Sequence, residues 1–357
     1  MSTVMSENNR DKASMSSPKY YGAIDVLRTI AAVGIIMIHI SSNNQYQLQG
    51  FMYEKVIPFL LNFLFLFMTI SAFSVCCGYY EKITKYPNAY SDFYKGRMKK
   101  VLPIFSVLIL MDIIVSPSVK SLYEAFADLT LLFGLLPNAG NIEVIGVGWF
   151  IGLIFVFYLC FPFFCFLLET KGRAWFSFGI SLLYLFACKK YFRVGITNIL
   201  YSGCFLLAGG LIYIYKTEIE KLARKKRNQW IVFSILCVII VFHFTGYKGE
   251  ISSLLISSTA LIYALMHSEY RRLRQAKWSL QENRFTKFFS KISLEVYLSH
   301  MMVFRVIEKL GLNVRFGDGW NQYWITFILV LTGTVIFACI MNKLFEITIL
   351  GKIKKNT

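Results

Sequence analysis

The chain has 357 residues, 56 % of them hydrophobic and 16 % charged, with a mean hydropathy of +0.54. Soluble domains carry about a quarter charged residues, so this composition excludes an ordinary water-soluble enzyme; the apolar residues fall in blocks fit to cross a bilayer core of about 30 Å. The formal net charge of +18 does not point to nucleic acid, because the Lys and Arg residues sit between the apolar blocks, where membrane proteins keep their cytoplasmic charge.

Residues 1–19 are polar and lack the apolar run of a signal peptide, so a disordered cytoplasmic tail is expected there. A single all-α transmembrane domain is expected over residues 20–346, followed by a basic cytoplasmic tail over 347–357. The apolar pattern predicts ten spans: Ala23–Ser41, Val56–Gly78, Val101–Ser116, Gly148–Leu168, Trp175–Cys188, Asn198–Tyr215, Trp230–Thr245, Ile251–Met266, Phe289–Ile307 and Tyr323–Glu346. The stretch Leu122–Leu136 is apolar too, but it carries Glu124 and Asp128 and stops at Pro137, which predicts an interfacial or re-entrant helix. With the N-terminus in the cytoplasm, 28 Lys and Arg residues fall inside and nine outside, with Arg28 left within a span. Such a split predicts a multi-pass protein of the cell membrane with both termini cytoplasmic. The eight cysteines all lie in apolar blocks without metal-ligand spacing, so neither a disulfide framework nor a metal site is expected.

The first span carries three ionisable residues, Asp25, Arg28 and His39. Eleven residues of helix return Arg28 and His39 to within about 20° of one direction, about 16 Å apart along the axis. Asp25 lies three residues before Arg28, in pairing range on the helix surface. Ionisable groups at membrane depth are costly and face a protein interior or a wet cavity. A neutral imidazole can take a hydroxyl proton at physiological pH; the bland alternative is a structural Asp–Arg pair and a histidine held by a neighbouring helix.

The spacing Arg28–x10–His39 in IDVLRTIAAVGIIMIH resembles the signature of the acyltransferase-3 family of integral membrane acyltransferases. Three later stretches add to it in the same order. YKGRMKKVLP (Tyr94–Pro103) resembles the family's RxxR motif followed by proline, with Lys100 in place of the second arginine. GWFIGLIFVFYLCFP (Gly148–Pro162) resembles its tryptophan-led span ending Tyr-x-x-x-Pro, and KISLEVYLSH (Lys291–His300) its late Ser…Tyr-Leu-x-His helix. The resemblance implies acyl transfer, usually acetyl, from cytoplasmic acyl-CoA to a hydroxyl or amine of an outward-facing glycan or lipid-linked sugar. It makes His39 the general base, with Arg28 and its partner Asp25 as further catalytic residues. Arg28, Arg97 and Lys100 become holders of CoA phosphates or of developing negative charge, although a lysine lacks the bidentate fork of arginine. His300, Tyr297 and Trp149 are secondary site residues. Some relatives carry a fused SGNH esterase-like domain; this chain ends eleven residues past its last expected span, so it is expected to act alone or with a separate extracytoplasmic transferase partner.

Other candidates carry simpler readings. His243 and His267 lie near span ends, Ser41 and Ser42 do not face His39, and Glu143, Asn138 and Asn141 sit on an expected outer loop. Gly148 and Gly152 form a small-xxx-small pair that signals close packing. The basic stretches 216–227 and 271–291 read as topology determinants beside anionic lipid headgroups. Two rival functions remain: an exporter or flippase of polysaccharide or lipid-linked sugar, to which intramembrane His and Arg are also suited, and a sensor or assembly partner without catalysis. Against the carrier stands the lack of a matching pair of Gly- or Pro-broken helices in the two halves.

Overall fold

The computed structural model describes residues 20–44, 46–86, 89–115, 117–136, 148–246, 249–274 and 283–355. Residues 1–19, expected as a disordered tail, lie outside this set, as do Glu143, Asn138 and Asn141. Of the described residues 85 % are helical and none is in a strand. Among them fourteen α-helices of seven residues or more follow one another: α1 Gly22–Asn43, α2 Asn62–Lys85, α3 Ala89–Val115, α4 Val119–Thr130, α5 Trp149–Leu159, α6 Phe161–Leu167 and α7 Lys171–Ala187. After these come α8 Ile199–Ile214, α9 Lys216–Ala223, α10 Lys226–Phe244, α11 Glu250–Leu273, α12 Arg284–Lys291, α13 Ser293–Lys309 and α14 Trp320–Lys355.

All ten expected spans coincide with helix. Five helical stretches are by themselves long and apolar enough to cross a bilayer: α1, Met52–Lys85, α10, α11 and α14. The pairs α5–α6 and α8–α9, bent by 63° and 62°, raise that number to seven if each pair is one span. The remaining three are α7 and α13, of 17 residues each, and α3, which carries Lys99, Lys100 and Asp112.

Several boundaries differ from the hydropathy reading. α3 starts at Ala89, well before the expected Val101, because its first half is a cationic helix that an apolar window passes over. Gly148–Leu168 is broken at Cys160, with Pro162 in the first turn of the following helix, where its missing N–H costs nothing. Phe289–Ile307 is divided at Ile292 into α12 and α13. The stretch 216–227 is not a loop: it forms α9 and the start of α10. Two bent helix pairs therefore exist where no broken pair was expected; Tyr158 and Tyr215 place the bends beside the basic residues Arg97 and Lys171.

Helix α1 is the hub, packed against α2, α11, α12, α13 and α14. A second centre is α2, which contacts α1, α8 and α11. The tightest approach is at Gly209 of α8, where an added Cβ would lie 2.2 Å from the Thr69 carbonyl oxygen of α2, so only glycine fits. The apolar interior forms two clusters. Ala31 and Ile35 of α1 and Leu298 and Met302 of α13 belong to the larger one, whereas Ile36 and Ile40 of α1 and Val296 and Phe304 of α13 belong to the smaller. These two helices form the seam between the clusters.

The stretch containing Glu124 and Asp128 is a twelve-residue helix followed by an inward turn. α4 buries Ala125 and Asp128 and exposes Leu122, Tyr123, Phe126 and Leu129. It ends at Leu131, fully buried with φ 57°, a left-handed conformation that a branched side chain rarely takes. The following Phe133–Leu135 turn packs on α5, with Gly134 and Gly152 so close that a Cβ on Gly134 would meet the Gly152 carbonyl oxygen at 2.3 Å. Phe133 stacks on Phe105, midway along α3, with ring centroids 6.1 Å apart. The segment turns inward at Leu131, Phe133 and Gly134, which are buried against protein, while Leu132, Leu135 and Leu136 stay exposed. The small-residue signal at Gly152 thus reports contact with this turn.

Candidate functional site

Three cations of the sequence motifs meet at the basic end of the bundle. On α1, Arg28 Nη2 donates to Ser74 Oγ of α2 at 2.7 Å, while its Nη1 lies 3.8 Å from Asp25 Oδ1. Asp25 is already satisfied by hydroxyls: Tyr20 donates to Oδ2 and Ser290 of α12 to Oδ1, both at 2.6 Å. The carboxylate therefore ties α1 to α12 and faces Arg28 without clamping it. Asp25 is a positioning residue in this arrangement.

Arg97 sits among three aromatic rings. Its guanidinium carbon lies 4.9 Å from the centre of Tyr79, 5.5 Å from Tyr158 and 5.8 Å from Phe93, and its Nε is buried without a hydrogen-bond partner. Planar guanidinium stacks well on such faces. Tyr158 is the tyrosine of the Tyr-x-x-x-Pro match, so that motif supplies one wall of the arginine cage as well as the bend at Cys160. Lys100, one turn further along α3, is exposed, within electrostatic reach of Arg28, Arg97 and Glu295. Glu295 starts α13 and is buried, with Oε2 unpartnered.

Further along the same seam, His39 of α1 faces His300 of α13, with ring centroids 5.1 Å apart. His300 is 1 % exposed, and its Nδ1 lies 2.5 Å from the Tyr297 carbonyl oxygen. A carbonyl oxygen only accepts, so Nδ1 carries the hydrogen and Nε2 keeps its lone pair. That Nε2 is buried without a partner. The Tyr297 ring packs 5.8 Å from His300 and 5.2 Å from Phe150, and Trp149 joins through Phe150 at 6.0 Å. The structure thus brings His39, His300 and Tyr297 together directly and Trp149 at one remove. Arg28, Arg97 and Lys100 form a separate group about three turns of α1 away from His39.

Other polar groups were not singled out as site residues by the motifs. Arg305 of α13, counted among outer cations from its position, forms an ion pair with buried Asp112 of α3. Glu124 and Asp112 both act electrostatically on Asp128, which is fully buried with both carboxylate oxygens unpartnered. Acids inside otherwise apolar helices were the available signal. His243 lies in the last turn of α10, as expected, and is buried: its Nδ1 contacts Ser252 Oγ at 2.8 Å and its Nε2 lies 3.4 Å from Asn62 Nδ2. Ser252 also caps α11, so this group joins helix ends. Among the described residues no three His, Cys, Asp or Glu side chains converge as a metal site requires.

No curated relative and no solved structure matches the chain. The sequence profile of one family, described as an acyltransferase domain, matches residues 21–343, from the start of α1 almost to the end of the described side chains of α14. That span contains both histidines, all three cations and every helix that holds them, and the chain belongs to the acyltransferase-3 family of membrane acyltransferases.

Proposed function

We propose that the protein moves an acyl group, acetyl in the first instance, from cytoplasmic acyl-CoA to a hydroxyl of an outward-facing glycan or lipid-linked sugar. The observation that carries this reading is the facing pair His39 and His300, set on the seam away from the three-cation group. The basic end is the cytoplasmic side, by the excess of Lys and Arg there. A CoA arm runs about twelve bonds from diphosphate to sulfur, or about 14 Å when extended like a polypeptide of that many backbone atoms. Arg28 and His39 are about 16 Å apart along α1. The match favours Arg28 as a phosphate holder over an oxyanion donor, since an oxyanion donor must lie within about 3 Å of the reacting oxygen.

In this mechanism Arg28, Arg97 and Lys100 hold the phosphates and the thioester carbonyl reaches His39. His39 takes the proton of the acceptor hydroxyl, whose oxygen adds to the thioester carbon. The adduct collapses with cleavage of the C–S bond, and the imidazolium returns its proton to the departing thiolate. His300, fixed by the Tyr297 carbonyl, presents its Nε2 lone pair to the same space and positions His39 or the acceptor. Purified protein in liposomes, given acetyl-CoA and a glycan acceptor, should form acylated acceptor. Full activity of folded His39→Ala would overturn the mechanism, and glycan movement without any acyl product would establish the exporter instead. Cysteine labelling from outside intact cells should reach residues 42–55 and spare 79–100; the reverse would overturn the orientation.

A further inference from the structure

A second cationic feature lies between α10 and α11 at the basic end and shares no residue with the Arg28 group. It is a cavity of about 190 Å³ whose lining, among the described residues, includes Lys226, Arg271 and Arg274 and no carboxylate. Its other walls are Gln229, His267 and the aromatic rings of Trp230, Phe233, Tyr263 and Tyr270. Trp230 and Phe233 of α10 lie 5.8 Å apart, Phe233 and Tyr263 of α11 5.4 Å apart, and Arg274 stacks over Tyr270 at 4.9 Å. Among the described residues neither Lys226 nor Arg274 is paired with a carboxylate, whereas the nearby Arg272, outside the lining, binds Glu269 at 2.7 Å. Lys226 and Arg274 thus keep a positive charge on the cavity wall.

The cavity opens onto the most exposed helix of the spanning set. Only 11 % of the apolar stretch of α10 is buried within the protein. From Trp230 the positions Phe233, Cys237 and Val241 follow at helical spacing on one face, all exposed. Trp230 and Val241 are about 16 Å apart along the axis, close to the roughly 15 Å hydrocarbon depth of one leaflet. A cationic cup rimmed by Trp and Tyr at the headgroup level, continued by an apolar stripe of acyl-chain length, has the chemistry of a lipid site.

We propose that this cavity binds the phosphate of an anionic phospholipid in the leaflet at the basic end, with one acyl chain along the Trp230–Val241 face of α10. The site is separate from the three-cation group: Arg28 bonds Ser74 of α2 and Lys100 lies within electrostatic reach of Glu295 of α13, whereas the described lining of the lipid cavity comes from α10 and α11. Phosphate alone does not explain the aromatic floor or the stripe, so a diacyl lipid is the occupant rather than free phosphate or CoA.

Native mass spectrometry of the full chain in neutral detergent, with equal phosphatidylglycerol and phosphatidylcholine, tests this. Wild type should retain phosphatidylglycerol in preference by about tenfold or more, as expected from several cations acting near one headgroup. Lys226→Gln/Arg271→Gln/Arg274→Gln should lose the preference, and the charge-matched Lys82→Gln/Lys85→Gln/Lys95→Gln should keep it. Glycerol phosphate or CoA at the lipid's concentration should not displace the lipid. Equal retention of both lipids by wild type, an equal loss in the two triple variants, or displacement by either soluble phosphate would overturn the proposal. Brominated phosphatidylglycerol gives a readout independent of the triple variant's folding: it should quench the tryptophan emission of wild type more than that of Trp230→Phe, and equal quenching would also overturn it.

Discussion

Helices α1 and α10 both pass as membrane spans by composition, with mean hydropathies of 1.9 and 1.6 over their most apolar stretches, yet 61 % of that stretch is buried in α1 and 11 % in α10. Between Trp230 and Phe242, α10 carries no ionisable residue, whereas α1 carries Asp25, Arg28 and His39. Lipid is as apolar as a leucine core, so hydropathy marks what enters the membrane without distinguishing what faces lipid from what faces protein. Ionisable groups make that distinction, because each needs a partner that only protein or water supplies. In α1 those partners are Ser74, Tyr20, Ser290 and His300, drawn from four parts of the chain.

The comparison breaks most sharply at His39. Loss of a general base costs about 10²–10⁴-fold, so His39→Ala should lower acylation in reconstituted protein by that factor, and His39→Gln should not restore it. At Arg28 the expected effect is on donor binding. A hydrogen bond to a charged group contributes about 1.5–3 kcal/mol, so Arg28→Ala should raise the KM for acyl-CoA by roughly 10–100-fold with less change in kcat. Arg28→Lys should recover only part of this, for want of the planar fork. Asp25→Asn should cost less than Arg28→Ala, since of the Tyr20 and Ser290 hydroxyls one can still donate to the amide oxygen and the other can accept from its NH2; a larger loss would make neutralisation of Asp25 the role of Arg28.

Arg97→Ala should raise the same KM about tenfold, and Arg97→Lys should not rescue it, because the cage of Tyr79, Phe93 and Tyr158 fits a flat cation. Lys100→Arg should be tolerated, the side chain being exposed. The smallest effects sharpen the comparison through stability in detergent. Overpacking typically costs about 1–3 kcal/mol, so Gly152→Ala, against the Gly134 turn, should lower Tm measurably. Val238→Ala on the lipid face of α10 should stay within about 0.5 kcal/mol of wild type. Equal losses at the two positions would show that α10 is covered by protein.

The polar first helix, the order of the helices and the residues of both histidine and cation groups were legible from motif spacing and apolar blocks. The start of α3 at Ala89 was hidden by its charges, and the break at Ile292 has no proline to announce it. Pro162 did announce the bend at Cys160, but proline after a helix end and proline inside a span look alike until the partner Tyr94, which donates to the Leu159 carbonyl, is known. The cage around Arg97 joins Tyr79, Phe93 and Tyr158 from three helices, and the pairing of Arg305 with Asp112 joins residues 193 apart. Such contacts are tertiary, and no local pattern encodes them.

The turn at Leu131 also constrains the order in which the protein is assembled. Its left-handed residue and the glycine contact at Gly152 leave the Phe133–Leu135 backbone sheltered only once α5 is present. During synthesis α4 emerges before α5, so the segment must wait at the membrane surface with its exposed Leu122, Tyr123 and Phe126 in the headgroup layer. It is wedged into place after the later helix arrives. Chains truncated before residue 148 should therefore leave an engineered cysteine at Phe133 open to aqueous labelling, and chains extended through α5 should protect it.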